Sequence, residues 1–362
     1  MRIGIDARFA GIHERGIGRY VYELIEALIA QSLHEKHEVV LFVTSKNAYL
    51  WSDTKGIKKV VADIHWYGIA EQFQLPFVLY KEHIDLMHFP HYNVPIFYKR
   101  PFVVTIHDLL LNRYPTSNAS TRNKLVFYIK YFAYKTVLKA TLKHAKQIIA
   151  VSSFTKHEIE DLYPTNQTPI TVIFEGVSDL GALETTNRVH AIKKPYVLTV
   201  GSAYPHKNIE KTILEIVPYL REHGLIYVLV GREDYFFERV QDWVQHKQFD
   251  DVVQFFGEAS DGELATLYTK ARILLFLSNY EGFGLPALEA MRYGCPVIAS
   301  DQGSLPEIIG DAGILVPKSD IHMVKDKIQI LLKNDTLRKL FISKGKDRAK
   351  KYSWEKMGKE IE

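Results

Sequence analysis

The sequence predicts an α/β protein made of two doubly wound parallel sheets, on three observations. Short apolar runs alternate with amphipathic helical stretches along the chain. The length, 362 residues, suits two domains. One aperiodic stretch, 178–194, carrying Gly181, Glu184, Thr185, Thr186 and Asn187, divides the runs into two series and reads as a linker.

The first series comprises strands at Arg2–Asp6, Glu38–Val43, Asp85–His88, Phe102–Ile106, Gln147–Val151 and Ile170–Phe174. Helical stretches such as Ile17–Gln31 and Asn118–His144 lie between them. The second series runs through Tyr196–Val200, Ile226–Val230, Val252–Phe256, Ile273–Leu277, Pro296–Ser300 and Gly313–Val316. The expected domains are therefore 1–177 and 195–345, joined by 178–194, with a last segment at 346–362. Ligands of open α/β sheets sit beyond the carboxyl ends of the strands. Two such domains facing one another would enclose an interdomain cleft.

Composition narrows the function. With 47% hydrophobic and 24% charged residues, the chain can bury two ordinary cores. A net charge of +4 is too small for a strongly basic nucleic-acid binder, so no nucleic-acid partner is expected. The single cysteine, Cys295, rules out an internal disulfide framework and reads as a small buried hydrophobe. A strand begins at Arg2, so no signal peptide is expected, and no apolar run reaches the ~18 residues that span a bilayer. The expectation is a cytoplasmic protein, free or peripheral at the inner face of the membrane.

The most informative stretch is Ser278–Ile298. It follows an all-apolar strand, turns at Gly282 and Gly284, and enters a helix with Pro286 in its first turn. Free amides at such a helix start, helped by the macrodipole, suit a phosphate. Glu289 lies among Ala287, Leu288, Ala290 and Met291, where a carboxylate is costly unless something hydrogen-bonds to it. A pair of sugar or ribose hydroxyls would do so, and Glu281 offers a second acceptor at the turn. The competing structural reading is a tight turn with Glu289 salt-bridged inside the domain.

Strand, glycine turn, Pro and helix in this order around Glu281 and Glu289 closely resemble the Glu-x7-Glu signature of retaining glycosyltransferases of family 4, which have the GT-B fold. Further segments extend the resemblance over nearly the whole chain: Gly11–Tyr20, Thr105–Leu109, Val151–Thr155, Phe174–Ser178, Gly201–Ile209 and Lys351–Glu355. The opening Ile-Gly-Ile-Asp-Ala-Arg followed by Gly-Ile-Gly-Arg-Tyr looks most like bacterial mannosyl- and related transferases that build surface polysaccharide.

The resemblance implies an enzyme moving a hexose from a nucleoside-diphosphate sugar to a hydroxyl acceptor, with GDP-mannose the first donor to consider. It implies transfer on the same face of the sugar, the leaving phosphate oxygen helping to deprotonate the acceptor. It also implies a final helix that crosses back to the first domain. Donor residues would be Gly16, Gly18, Ser202, His206, Lys207, Arg232, Gly282, Phe283, Gly284, Leu285 and Glu289. Glu281 would orient sugar hydroxyls, and Lys207 would meet the diphosphate. The family often has an arginine where this chain has Ser202. Either His206, Arg232 or a main-chain amide covers that charge, or the diphosphate is held less tightly. Gly16 and Gly18 resemble the family's loop over the diphosphate and acceptor, although a strand-to-helix turn would look the same.

His107 resembles the family histidine near the transferring sugar, with Asp108 beside it as an acceptor contact. His88 and His91 stand between lining the acceptor side and a structural role. No metal is expected, because no His-x-x-x-His or Asp-x-Asp element accompanies the histidines. No cofactor is expected either. At Phe174–Ser178, Glu175 and Ser178 replace the family's Asn and Asp, and both departures read as hinge details.

The stretch 120–146 carries Arg122, Lys124, Lys130, Lys135, Lys139, Lys143 and Lys146 with no acid, while Phe127, Tyr131, Tyr134, Leu138 and Leu142 recur on another face. The preferred reading packs the aromatics on the sheet and leaves the lysines in water. The alternative lays the helix on an anionic lipid surface beside a lipid-linked acceptor; a saccharide acceptor is the other option. Two rival functions remain: a GT-B nucleotide-sugar epimerase and a non-catalytic nucleotide-binding protein. A dinucleotide oxidoreductase is opposed by the lack of a Gly-x-Gly-x-x-Gly after any strand.

Overall fold

A computed structural model describes residues 1–11, 15–51, 55–115 and 124–362. The chain divides into two units: Met1–Gly176 with Ser353–Glu362, and Val177–Tyr352. Among the described residues no helix is long and apolar enough to cross a membrane.

The first unit contains β1 (Arg2–Asp6), β2 (Glu38–Val43), β3 (Ile57–Val61), β4 (Leu86–Phe89), β5 (Phe102–Ile106), β6 (Gln147–Ala150) and β7 (Ile170–Val172). They form one parallel sheet in the order β3-β2-β1-β4-β5-β6-β7. The order reverses between β1 and β4, which creates a crevice beyond their carboxyl ends. Five of the expected strands start at the expected residue and Asp85–His88 lies one residue later, whereas β3 was not expected. Its Ile-Lys-Lys-Val-Val reads as polar, because lysines are a common way to blunt a sheet edge.

Helix Arg15–Ala30 begins earlier than expected, so Gly16 and Gly18 lie in its first turn and do not precede it. The Gly11 amide meets the Gly18 carbonyl at 3.4 Å; residues 12–14 of that glycine segment lie outside the described residues. Helix Trp354–Ile361 starts at Ser353, whose side chain accepts from the Lys356 amide, and packs on Arg15–Ala30. Gly176 permits this closure, because a Cβ there would come within 2.3 Å of the Trp354 nitrogen.

Helix Lys124–His144 buries Tyr134, Leu138 and Leu142 as the spacing predicts. Positions 118–123 of the expected helix, Arg122 among them, lie outside the described residues. Its first half departs from the preferred reading: Leu125, Tyr128, Ile129 and Phe132 face solvent, Phe132 at 74%.

The second unit contains β8 (Tyr196–Val200), β9 (Ile226–Val230), β10 (Val253–Gly257), β11 (Ile273–Phe276), β12 (Val297–Ser300) and β13 (Ile314–Val316). The order is β10-β9-β8-β11-β12-β13, all parallel, with its reversal between β8 and β11. Val197, Leu229, Ile273, Leu275 and Ile298 carry the core against helices Ile209–Glu222 and Met323–Lys333. The stretch 178–194 is fastened to helix Asp261–Lys270: Ser260 donates to Glu184, Thr266 to the Glu184 carbonyl, and Thr186 to Glu263. Cys295 is buried, and burial pushes its thiol up to about 12.

Candidate active site

In the second unit the charged groups gather at the reversal point. The chain leaves β8 through Gly201 and Ser202 and makes one helical turn at Pro205–Lys207. It leaves β11 into the turn 278–284 and then into helix Leu285–Arg292. Lys207 Nζ donates to Glu281 Oε1 at 2.5 Å, with both side chains largely buried. The ammonium also lies 5.1 Å from the centre of the Phe276 ring. Hydrogen bonds hold the two loops together: the Asn279 amide donates to the His206 carbonyl at 2.6 Å. Ser304 Oγ donates to the Phe283 and Glu281 carbonyls at 2.6 and 3.2 Å.

Two glycines are obligatory here. Gly284 caps the helix at φ +108°, and a Cβ there would lie 2.8 Å from Leu305. Gly303 sits at φ +64°, where a Cβ would meet the Glu281 oxygen and nitrogen at 2.5 and 2.7 Å. Glu281 is thus backed by main chain that leaves no slack. Gly282 and Phe283 complete the turn, and the Phe283 ring stands edge-on to Tyr352 at 5.9 Å.

Glu289 is buried on helix Leu285–Arg292 and accepts from the Tyr268 hydroxyl at 2.9 Å. That bond makes its burial tolerable, as the sequence required. Of the candidates for the missing positive charge, His206 is held neutral, since burial and the neighbouring Lys207 push it down to about 3. Arg232 is exposed at the end of β9 and lies 3.7 Å from Glu258.

In the first unit His88 lies within β4, whereas His91 and His107 stand beyond the ends of β4 and β5, and each has its own hydrogen-bond partners. His107 Nδ1 lies 2.9 Å from Glu175 Oε1, and its Nε2 lies 2.9 Å from the Pro90 carbonyl. Both nitrogens face acceptors, so the ring is read as an imidazolium. Burial opposes that charge, but Glu175, the Pro90 carbonyl and Asp108 outweigh it and raise the pKa. His88 Nε2 pairs with Thr105 Oγ1 at 2.9 Å, and the Tyr20 hydroxyl lies 3.0 Å from the same oxygen. Burial, with His107 nearby, pushes His88 down to about 4 and His91 to about 3. Asp108 is exposed, and its Oδ1 accepts from the Leu110 amide. Among the described residues no three His, Cys, Asp or Glu side chains are grouped to hold a metal ion.

Glu175, read from sequence as a hinge detail, is the partner of His107. Its place in Phe-Glu-Gly-Val-Ser gave no hint of a contact reaching back 68 residues.

The comparisons with known proteins bear on the family and the fold. Residues 15–179 match the model of Glycosyltransferase Family 4, and residues 184–348 that of Glycosyl transferases group 1. An O-antigen chain mannosyltransferase B of Escherichia coli is 28% identical over 94% of this chain and 93% of its own. A sucrose-phosphate synthase of Thermosynechococcus elongatus superposes with a TM-score of 0.75 at 20% identity, covering 100% of this chain and 97% of that one. Anabaena HepE, solved in complex with UDP-glucose, gives a TM-score of 0.70 at 16% identity, covering 100% and 98%. Two parallel-sheet units with these neighbours define the GT-B fold. The chain belongs to the family 4, group 1 glycosyltransferases and is a glycosyltransferase. The epimerase alternative finds no support among these relatives.

Proposed function

We propose that the enzyme is a retaining glycosyltransferase that moves a hexose from a nucleoside-diphosphate sugar to a hydroxyl of a saccharide or lipid-linked acceptor in surface-polysaccharide assembly. Mannose from GDP-mannose is the first choice, supported by the full-length similarity to a mannosyltransferase. The observation that carries the reading is the Lys207–Glu281 pair at the β8–β11 reversal beside the start of helix Leu285–Arg292. Breaking the bond from the anomeric carbon to phosphate oxygen leaves negative charge on the diphosphate. Lys207 and the amides of Gly284 and Leu285 answer that charge, the largest expected contribution to rate. Glu281, backed by Gly303 and Ser304, holds Lys207 in place and accepts from sugar hydroxyls. Glu289 orients the ribose. The acceptor oxygen bonds to the anomeric carbon on the same face, and its proton passes to the leaving phosphate oxygen. No metal or cofactor is assigned a part.

Release of GDP against UDP, measured over a panel of donor sugars, tests this reading. Turnover of GDP-mannose with transfer to an acceptor supports it; consumption of donors to free sugar alone, or no turnover of any donor, contradicts it.

For a lipid-linked acceptor, the exposed side chains of Leu125, Tyr128, Ile129 and Phe132 beside Lys130 and Lys135 support peripheral contact with an anionic bilayer, with the protein on its cytoplasmic side. Each lysine near such a surface contributes ~1 kcal/mol, screened by salt. Co-sedimentation with anionic vesicles should fall at high salt and in the Lys135, Lys139, Lys143 triple glutamine variant. Wild type that stays in solution even at low salt would favour a soluble acceptor.

A further inference from the structure

The β1–β4 reversal of the first unit holds a second assembly, built around Arg8. Its side chain is wholly buried and donates to Asp6 at 2.7 and 2.8 Å, to Glu71 Oε1 at 2.7 Å and to the Ile64 carbonyl at 2.9 Å. Glu71 Oε1 also accepts from Asn93 Nδ2 at 2.7 Å, and its Oε2 from the Tyr67 amide at 2.8 Å. With its nitrogen turned to Glu71, Asn93 presents its oxygen to His91 Nδ1 at 2.7 Å. That oxygen can only accept, so Nδ1 carries the proton of a neutral ring and Nε2 keeps its lone pair. His91 is 7% exposed, and its Nε2 makes no hydrogen bond among the described residues.

Beside this acceptor lies an aromatic surface. Tyr67 is held at φ +60°, a conformation that costs a side-chain-bearing residue on the order of 1 kcal/mol. The residue is nonetheless 52% exposed. Its ring stands edge-on to His91 at 5.8 Å and to Phe9 at 6.1 Å, and Phe9 stacks on Trp66 at 4.5 Å. Glu71 fixes the Tyr67 amide and Asn93 together, so one buried carboxylate sets the backbone under the ring and the tautomer of the imidazole.

Charge decides the class of ligand. Arg8 is wholly buried against two carboxylates, the His107 imidazolium has both nitrogens taken by Glu175 and the Pro90 carbonyl, and His91 is neutral, so among the described residues the crevice presents no accessible cation to a phosphate. An exposed ring beside one hydrogen-bond acceptor suits a neutral ligand with an apolar face and hydroxyl edges. We propose that Tyr67 and His91, positioned by Glu71 and Asn93, form a saccharide subsite in which a pyranose packs on the Tyr67 ring and donates a hydroxyl to His91 Nε2. Read with the proposed function, on which this role rests, the subsite holds the acceptor sugar.

Saturation-transfer NMR on the full chain with methyl α-D-mannopyranoside tests the proposal without requiring turnover, with glycerol as the polyol lacking a ring. The variants are Tyr67→Gly, which removes the ring while suiting φ +60°, and Tyr67→Phe. Wild type and Tyr67→Phe should show transfer to the ring C–H protons. Tyr67→Gly should lose about fivefold or more of the signal while its Tm holds or rises. An undiminished signal in Tyr67→Gly, equal transfer to glycerol, or no pyranoside contact in wild type would each overturn the subsite. GDP and UDP binding by calorimetry on the same samples is a separate readout. If neither nucleotide binds while the pyranoside result holds, the transferase reading fails and the saccharide site stands.

Discussion

At the β8–β11 reversal of the second unit, Lys207 and Glu281 face each other across two loops, with one charge of each sign and a helix start beside them. At the β1–β4 reversal of the first unit, one guanidinium is tied to two carboxylates and the Ile64 carbonyl, Asn93 links Glu71 to the neutral His91, and the Tyr67 ring stands at the edge. The first arrangement suits a ligand that brings negative charge and develops more of it; the second, among the described residues, keeps its charges buried and paired and presents shape and one hydrogen-bond acceptor. On the proposed function, the same topological position serves two chemistries, as a transfer between an ionic donor and a neutral hydroxyl requires.

The sharpest way to break this comparison is to remove the ionic pair. Lys207→Ala and Glu281→Gln should each lower turnover by about a hundredfold or more without unfolding the protein. The double variant should lose little beyond the worse single one, since the two groups act together. Near-normal kcat in either single variant would remove that residue from the site.

Gly303→Ala tests whether Glu281 depends on its backing. The new Cβ would fall 2.5 Å from the Glu281 oxygen. Main-chain displacement of this kind costs ~1–3 kcal/mol, and kcat should fall about tenfold. A Tm and kcat equal to wild type would show that the turn has slack.

A smaller effect separates the first unit's charged histidine from its neutral neighbours. His107 is raised in the folded state, so the stability it adds is complete below the ordinary imidazole value of about 6.5 and is lost as pH rises through its folded pKa. His88 and His91 are lowered, to about 4 and about 3, and act oppositely: stability falls as pH drops from about 6.5 toward those values. In Glu175→Gln the decline above about pH 6.5 should flatten, with a loss of ~1.5–3 kcal/mol at lower pH, while the acid limb remains. Tm followed from pH 5 to pH 9 reads both limbs; an unchanged alkaline limb would mean that Glu175 does not hold the proton on His107.

The two regions also differ in how far the sequence revealed them. Glu281, Gly284, Pro286 and Glu289 lie within nine residues on one strand-turn-helix, so local chemistry marks them as a candidate site before any fold is known. Lys207 is read from the resemblance of Gly201–Ile209 to the family's diphosphate loop and from its place at a strand end. The Arg8 assembly draws on positions 6, 8, 71, 91 and 93, which come together only through the pairing of β1 with β4 and the helix Ile69–Lys81 that carries Glu71. Glu175 was hidden for the same reason. Strand β3 was missed because Lys58 and Lys59 mask an edge strand. The early start of helix Arg15–Ala30 was missed because Gly16 and Gly18 look like a turn and carry low helix propensity.

The central claim is that the donor's nucleotide is held by the second unit through Lys207. Calorimetric titration of GDP and UDP into wild type, Lys207→Ala and Tyr67→Gly tests it most directly. The account predicts that one nucleotide binds wild type and Tyr67→Gly alike and binds Lys207→Ala at least tenfold more weakly, about 1.4 kcal/mol. Equal affinity for wild type and Lys207→Ala, or a loss confined to Tyr67→Gly, would contradict it.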